Sequence, residues 1–187
     1  MANRRLFVAV EVPDDVREYV VDQLRPWQHD LAGWRWSDPA LWHLTLAFLG
    51  DVDESRRPEL SERLNRAGRR RAPFEVGLAG LGAFNRPAKA RVLWLGVDGD
   101  RDAMVRLAGS ASAAARRVGI SMEGRHYRPH LTIGRRSAPV DVREQLSAGP
   151  ELRSPTWPVE SFELVESHLG ATVRHDQLDT FPLTGKV

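Results

Sequence analysis

Two tetrapeptides decide the interpretation of this chain: His-Leu-Thr-Leu at residues 43–46 and His-Leu-Thr-Ile at residues 130–133. They lie 87 positions apart, and the same offset aligns residues 6–11 (LFVAVE) with residues 93–98 (LWLGVD) without a gap. Each copy therefore contains a strand-like segment and a His-x-Thr segment, separated by the same number of residues. This repetition in register indicates an internal duplication. We expect two similar lobes, each of which supplies one histidine to a shared cleft.

Side chains alternate along a strand, so each tetrapeptide has one polar and one apolar face. His43 and Thr45 share a face in the first copy, and His130 and Thr132 share a face in the second. A single short motif of this kind carries a real risk of coincidence. Two copies in register favour a functional interpretation, with the polar faces turned into the cleft.

The pattern along the rest of the chain predicts an α+β fold of two pseudo-symmetric lobes, each an antiparallel sheet with outer helices. The three residues 74–76 also match residues 162–164, so the repeat continues with one extra residue. We predict one domain over residues 1–187, with lobe one at about 1–86, lobe two at about 90–187, and the cleft between them. The predicted strands are 5–12, 34–36, 43–48, 74–81, 91–97, 130–133 and 161–167, with Gly50 ending the third. One helix begins near residue 13, a basic helix carrying Leu60, Leu64 and Ala67 follows Gly50, and a third begins near residue 100.

Composition narrows the class of protein. The 187 residues are 42% hydrophobic and include no cysteine, so the chain can bury a core and has no thiolate chemistry. The first apolar run is too short for a signal peptide, and we expect a cytoplasmic protein without a membrane segment. The net charge of +2 argues against a polycation that coats nucleic acid, so any basic site must be local.

Paired histidines suit acid–base chemistry, because near neutral pH one can be neutral while the other is protonated. One then takes a proton from water, and the other gives a proton to a leaving oxygen, as cleavage of a cyclic phosphodiester requires. Thr45 and Thr132 are candidates for hydrogen bonds to the phosphate oxygens. We expect no metal and no cofactor, because a site built from His126 and His130 would need a helix that Pro129 disfavours.

Three further residues are candidates for substrate contacts. Arg135 follows the second motif and can bind phosphate, while Phe48 and Tyr127 can stack a base if they reach the cleft. Arg135 and Phe48 have the wrong strand parity for the cleft face, so each needs its strand to end or to bulge. The remaining histidines, His29, His168 and His175, have no partner in the repeat and are interpreted as surface or core residues.

The paired motifs resemble those of the 2H phosphoesterase superfamily. Residues 4–10 (RRLFVAV), 43–50 (HLTLAFLG) and 128–135 (RPHLTIGR) narrow the resemblance to RNA 2',3'-cyclic phosphodiesterases, formerly called 2'-5' RNA ligases. The resemblance implies that RNA ends carrying a 2',3'-cyclic phosphate are opened to 2'-phosphomonoesters. It makes His43 the proton donor to the 3' oxygen and His130 the proton acceptor, and Arg135 matches an arginine of the family.

Two features depart from the family pattern, namely Arg128 in place of an aromatic residue and the lack of a tyrosine near His175. The open alternatives are a 2'-5' RNA ligase and an enzyme for a small cyclic phosphate such as ADP-ribose 1'',2''-cyclic phosphate. A non-catalytic module that binds RNA ends is the third. The expected partner is RNA, with no obligate protein partner and a monomeric state.

Overall fold

Two antiparallel sheets with helices packed against them make up the computed structural model, which describes residues 3–84, 86–122, 124, 126–170 and 172–186. The predicted α+β class is confirmed. The strands are β1 (Asn3–Glu11), β2 (Arg35–Trp36), β3 (His43–Asp53), β4 (Phe74–Phe84), β5 (Ala90–Gly99), β6 (His130–Val140), β7 (Trp157–Val159), β8 (Ser161–His168) and β9 (Arg174–Pro182).

The helices follow their apolar periodicity. They are α1 (Asp14–His29), α2 (Arg57–Gly68), α3 (Arg101–Arg117) and α4 (Arg143–Ala148). Val16, Val20, Leu24 and Trp27 form the buried stripe of α1, at the three- and four-residue spacing that puts side chains on one helix face. Helix α2 contacts α3, β8 and β9, and α3 contacts β3, so these helices cover the apolar faces of the sheets.

The sheets exchange strands between the two repeats. One sheet has the order β3-β1-β8-β9, and the other has the order β2-β6-β5-β4-β7. Strand β4 belongs to the first repeat but pairs with β5, while its counterpart β8 belongs to the second repeat but pairs with β1. The boundary expected at residues 86–90 therefore separates the sequence repeats but does not separate the sheets. The expectation that each lobe is one contiguous half of the chain is corrected, because each sheet contains strands from both halves.

Several strands run further than their sequence pattern indicates. The prediction that Gly50 ends β3 is wrong, because the strand continues to Asp53, with Gly50 at φ +69° opposite Leu6. Strand β6 likewise continues from the predicted end at Ile133 to Val140. Residues 50–53 of β3 pair with β1, and β6 pairs again with β5 at Val140, so strand pairing extends both strands where the alternation of apolar residues gives no signal.

Each of the two motif strands carries a β-bulge at the same point of the repeat. Leu46 is the extra residue in the β1–β3 pairing, and Ile133 is the extra residue in the β5–β6 pairing. Both side chains are buried, at 3% and 0% exposure. Because a bulge inserts one residue, it reverses the strand parity beyond it.

The apolar faces form one large core, while the opposite face of the first sheet carries a separate small cluster of Phe7, Ala9 and Val165. Strands β3 and β6 contact each other between the sheets, which brings the two motif strands together. Within the parts of the chain that the structure covers, no helix combines the length and apolar character needed to cross a membrane.

Candidate active site

His43 is fixed at the first residue of β3. A 3₁₀ turn at Pro39–Leu41 precedes the strand, and the carbonyl oxygen of Leu41 accepts a hydrogen bond from Nδ1 of His43 at 2.8 Å. The ring of Phe7 stacks on the imidazole with 4.6 Å between centroids. Because Nδ1 is engaged, Nε2 is the nitrogen left for chemistry.

His130 is held in the same manner at the first residue of β6. Its Nδ1 donates to the carbonyl oxygen of Arg128 at 2.7 Å, and the ring of Phe84 packs edge-on at 4.7 Å. The acceptor is again the carbonyl two residues earlier, so the two repeats orient their histidines identically. Each histidine thus presents Nε2.

The electrostatics of the site favour neutral imidazoles. Burial lowers the pKa of His43 to about 4, opposed by the hydrogen bond to the Leu41 carbonyl and assisted by smaller effects of the charges of His175, Arg135 and His130. Burial also lowers the pKa of His130, with Arg135 and Arg128 acting in the same direction. Since Arg135 acts on the pKa of both histidines, the three groups lie within electrostatic reach of one another.

The two threonines accompany the histidines. Thr45 is 9% exposed and lies opposite Ala9, and Thr132 is half-buried and lies opposite Trp94. Each occupies the second position after its histidine and precedes the bulge, so it shares the histidine's face. The two hydroxyls therefore lie on the strand faces that carry the histidines.

The bulges bring Phe48 and Arg135 to the same face. Phe48 lies opposite Phe7, at 6.4 Å between ring centroids, and its side chain is 64% exposed. Arg135 lies opposite Val92, two residues from the Trp94 that faces Thr132. Phe48 and Arg135 occupy equivalent positions of the two repeats, so one half of the site offers an aromatic surface and the other a guanidinium.

Tyr127 does not occupy the position expected of a base-stacking residue. Its ring packs against the main core, and its hydroxyl is buried without a hydrogen-bond partner among the described residues. Burial raises the pKa of this phenol well above its usual range. The stacking role suggested by the sequence is therefore corrected, because the apolar ring is used in packing.

Sequence reasoning missed His175, which β9 brings to the site. Its ring lies 5.3 Å from that of His43 and 5.0 Å from that of Phe7, both edge-on. Burial lowers the pKa of His175, with a smaller effect from His168. The one sequence signal was the position near residue 175 where the resembling family commonly has a tyrosine.

The contact between Trp94 and Arg128 was also not predicted from the sequence. The guanidinium of Arg128 lies 4.4 Å from the centroid of the Trp94 ring, a cation–π arrangement. This contact fixes the residue whose carbonyl holds His130, so the unusual arginine has a structural role.

The described residues include no group of three or more histidine, aspartate or glutamate side chains arranged to hold a metal ion. His126 lies in an irregular segment and His130 begins a strand, so this pair lacks the helical geometry that shared ligation would need.

Comparison with known proteins places this geometry in a family. A model described as LigT like Phosphoesterase matches residues 15–94. An RNA 2',3'-cyclic phosphodiesterase of Archaeoglobus fulgidus is 36% identical over 131 residues, which cover 70% of this chain and 72% of the relative. The chain belongs to the LigT-like phosphoesterase family. The resemblance seen in the paired motifs is thereby confirmed.

Solved structures of LigT-like phosphoesterases share the whole architecture. The crystal structure of TT0787 of Thermus thermophilus superposes with a TM-score of 0.83 at 31% identity, covering 98% of this chain and 100% of that one. The crystal structure of Escherichia coli LigT complexed with 3'-AMP gives a TM-score of 0.79 at 27% identity, covering 97% and 99% of the two chains. The fold of this LigT-like chain, including both sheets, is thus that of its family.

Proposed function

We propose that this protein hydrolyses 2',3'-cyclic phosphate ends of RNA to 2'-phosphomonoesters without a metal ion, by acid–base catalysis between His43 and His130. The observation that carries the proposal is the pair of equivalent histidines, each holding Nδ1 to a backbone carbonyl and presenting Nε2. The RNA 2',3'-cyclic phosphodiesterase activity named for the Archaeoglobus relative supports the choice of substrate.

The reaction balances with two proton transfers. His130 takes a proton from water as the water oxygen forms a bond to phosphorus, and the bond from phosphorus to the 3' oxygen breaks. His43 gives a proton to that leaving oxygen, so the product carries a 2'-phosphate and a free 3' hydroxyl. Exchange with solvent returns both histidines to their starting states.

The lowered pKa of His43 determines when this proton donor is protonated. Burial holds the pKa of His43 near 4, which disfavours the protonated form at neutral pH. A bound phosphodiester brings a negative charge next to the ring, and an opposite charge within a few ångströms favours protonation. Substrate binding therefore supplies the condition for His43 to act as a donor.

Thr45, Thr132 and Arg135 stabilise the phosphate in this proposal. Two hydroxyls and one guanidinium oppose the charge that develops on the non-bridging oxygens, and removal of one such donor typically costs about 3–4 kcal/mol of transition-state stabilisation. Phe48 offers a ring for the terminal base, an interaction typically worth about 1–3 kcal/mol.

The test is hydrolysis of a dinucleotide that ends in a 2',3'-cyclic phosphate, with the product followed by phosphorus NMR. We expect a 2'-phosphate, formed at an unchanged rate in excess EDTA. A dominant 3'-phosphate would show that the donor and acceptor roles, or the substrate orientation, are exchanged. Activity lost on chelation and restored by a divalent ion would refute the metal-free mechanism, and binding without turnover would identify an RNA-end-binding module.

A further inference from the structure

Four arginines line one pocket beside the His130 half of the cleft. The pocket has a volume of about 410 Å³, and the arginines are Arg35, Arg91, Arg135 and Arg136. Among the described residues that line it there is no carboxylate. This concentration of positive charge is local, because the net charge of the chain is only +2.

Arg35 and Arg135 lie directly opposite each other on β2 and β6. The next pair along the ladder is Trp36 and Gly134, and the Trp36 ring covers Gly134 on the core side. Since neighbouring residues of a strand point to opposite faces, Arg35 and Arg135 both point to the cleft side. Like charges directly opposite each other in a sheet are destabilising unless an anion compensates them.

Arg136, which also lines the pocket, has a buried donor without a partner among the described residues. The Nε atom of Arg136 is buried and has no hydrogen-bond partner in the part of the chain that the structure describes. Its guanidinium lies 5.6 Å from the centroid of the Trp34 ring, which helps to fix its position. An anion in the pocket would relieve the repulsion between Arg35 and Arg135 and lie among the four guanidiniums that line it.

We propose that this pocket is a second phosphate subsite, which binds the phosphate on the 5' side of the terminal nucleoside. The inference rests on the proposed function, in which the cyclic phosphate lies between His43 and His130. Arg135 belongs to both sites, and Arg35 lies opposite it on the neighbouring strand, about 4.8 Å away in the hydrogen-bonding direction. In this arrangement Arg135 lies between the cyclic phosphate at the histidine pair and the second phosphate at Arg35.

The shared chemistry is a phosphate group attached at the 5' oxygen, which has two sources. It is a phosphodiester when the cyclic end belongs to an RNA strand, and it is a monophosphate when the substrate is a single nucleotide. An arginine guanidinium can bind a phosphodiester or a phosphate monoester through two parallel hydrogen bonds.

The experiment measures the binding of product-like ligands by calorimetry at fixed salt. Adenosine 2'-phosphate is compared with adenosine 2',5'-bisphosphate and with the dinucleotide ApA that carries a 2'-phosphate. We expect the wild type to bind the bisphosphate at least about tenfold more tightly than the monophosphate, as one charge-assisted contact would provide. Arg35→Ala should remove most of this gain, and Arg35→Lys should restore part of it.

The matched control is Arg66→Ala, which removes the same charge from an arginine that pairs with Glu62 on α2. It should leave the gain intact. If Arg35→Ala fails to fold, as judged by thermal melting, Arg91→Ala replaces it.

Equal affinity of the wild type for adenosine 2'-phosphate and the bisphosphate overturns the subsite. So does a gain in affinity that survives Arg35→Ala and Arg91→Ala, or one that disappears equally in Arg66→Ala.

Tighter binding of the dinucleotide identifies an RNA strand as the source of the second phosphate, and tighter binding of the bisphosphate alone identifies single nucleotides. Hydrolysis of a dinucleotide that ends in a 2',3'-cyclic phosphate is assayed separately. Absence of that hydrolysis refutes the proposed function, while the binding comparison still decides the subsite.

Discussion

At the scale of single residues, the orientation of each histidine is set by one backbone carbonyl. The distances from Nδ1 are 2.8 Å for His43 and 2.7 Å for His130, and both acceptors lie two residues earlier in the chain. A carbonyl can only accept, so each Nδ1 carries the proton and a neutral ring has its lone pair on Nε2. Backbone geometry thus selects Nε2 as the free nitrogen of each ring.

We predict that His43→Ala and His130→Ala each lower kcat on a 2',3'-cyclic phosphate by about 10²–10⁴, because each removes one proton transfer. Circular dichroism and thermal melting should show a retained fold. His29→Ala is the matched control, because His29 is 90% exposed on α1 and should leave kcat unchanged. Near-normal turnover by either site variant would contradict the assignment of the pair.

The lowered pKa of His43 also predicts a pH dependence of stability. The pKa is about 4 in the folded protein and about 6.5 in an unfolded chain, so the unfolded state binds more protons between these values. The free energy of unfolding should therefore fall as pH decreases from 6.5 to 4, by at most about 3 kcal/mol from this residue.

The measurement is urea unfolding of the wild type and His43→Gln at pH 7 and pH 4.5. The variant should lose less stability on acidification, whereas His29→Gln should behave like the wild type. An identical loss in the wild type and His43→Gln would show that His43 is not the group that responds.

At the scale of strands, the two bulges determine which side chains enter the site. Without them, Phe48 and Arg135 would share a face with the buried Leu46 and Ile133. The extra residue in each strand turns both side chains to the side of the histidines. The shared face of each histidine with Phe48 or Arg135 is therefore a product of strand irregularity.

The sequence carried enough information to predict the motif strands, the main helices and the shared face of His43 and Thr45, because these depend on local periodicity. It could state that Phe48 and Arg135 need a bulge, but not that one exists, because a bulge is defined by the partner strand. The exchange of β4 and β8 between the two sheets could not be predicted either, since strand pairing is a non-local property. His175 was missed because β9 has no counterpart in the repeat.

Gly82 tests the packing that supports His130. It lies opposite Trp94, and a Cβ at this position would overlap the indole ring. Gly82→Ala should displace Trp94 and with it Arg128, lowering the free energy of unfolding by about 1–3 kcal/mol. We expect kcat to fall by roughly tenfold, since small misplacements at a catalytic group are costly.

Urea unfolding and steady-state kinetics check this expectation. Gly109→Ala is the control, because Gly109 lies in α3 with open space around it and should gain about 0.5–1 kcal/mol of stability. Gly82→Ala with wild-type stability and kcat would show that the Trp94 position is not needed.

At the scale of the whole molecule, strand exchange makes each sheet depend on both repeats. The sheet that carries His43 contains β8 and β9 from the second half of the chain, and the sheet that carries His130 contains β4 from the first half. Cutting the chain at residue 86 should therefore leave two fragments that are each missing part of a sheet.

We predict that the fragments 1–86 and 87–187, produced separately, do not unfold cooperatively, because exposed sheet edges and apolar faces lack their partners. Mixed together, they should assemble one to one and recover activity on a cyclic phosphate. Size-exclusion chromatography and two-dimensional NMR follow the assembly. A dispersed spectrum from either fragment as an isolated monomer would contradict the prediction.

The exchanged strand has a consequence for how such a protein could arise. A single ancestral repeat would carry a strand equivalent to β4 and β8 that does not pair within its own sheet. Two copies would complete their sheets by exchanging this strand, and the product would be a domain-swapped homodimer with one histidine from each subunit at its two-fold axis. Gene fusion would then join the two subunits and free their equivalent positions to diverge, which is the difference now seen between Phe48 and Arg135.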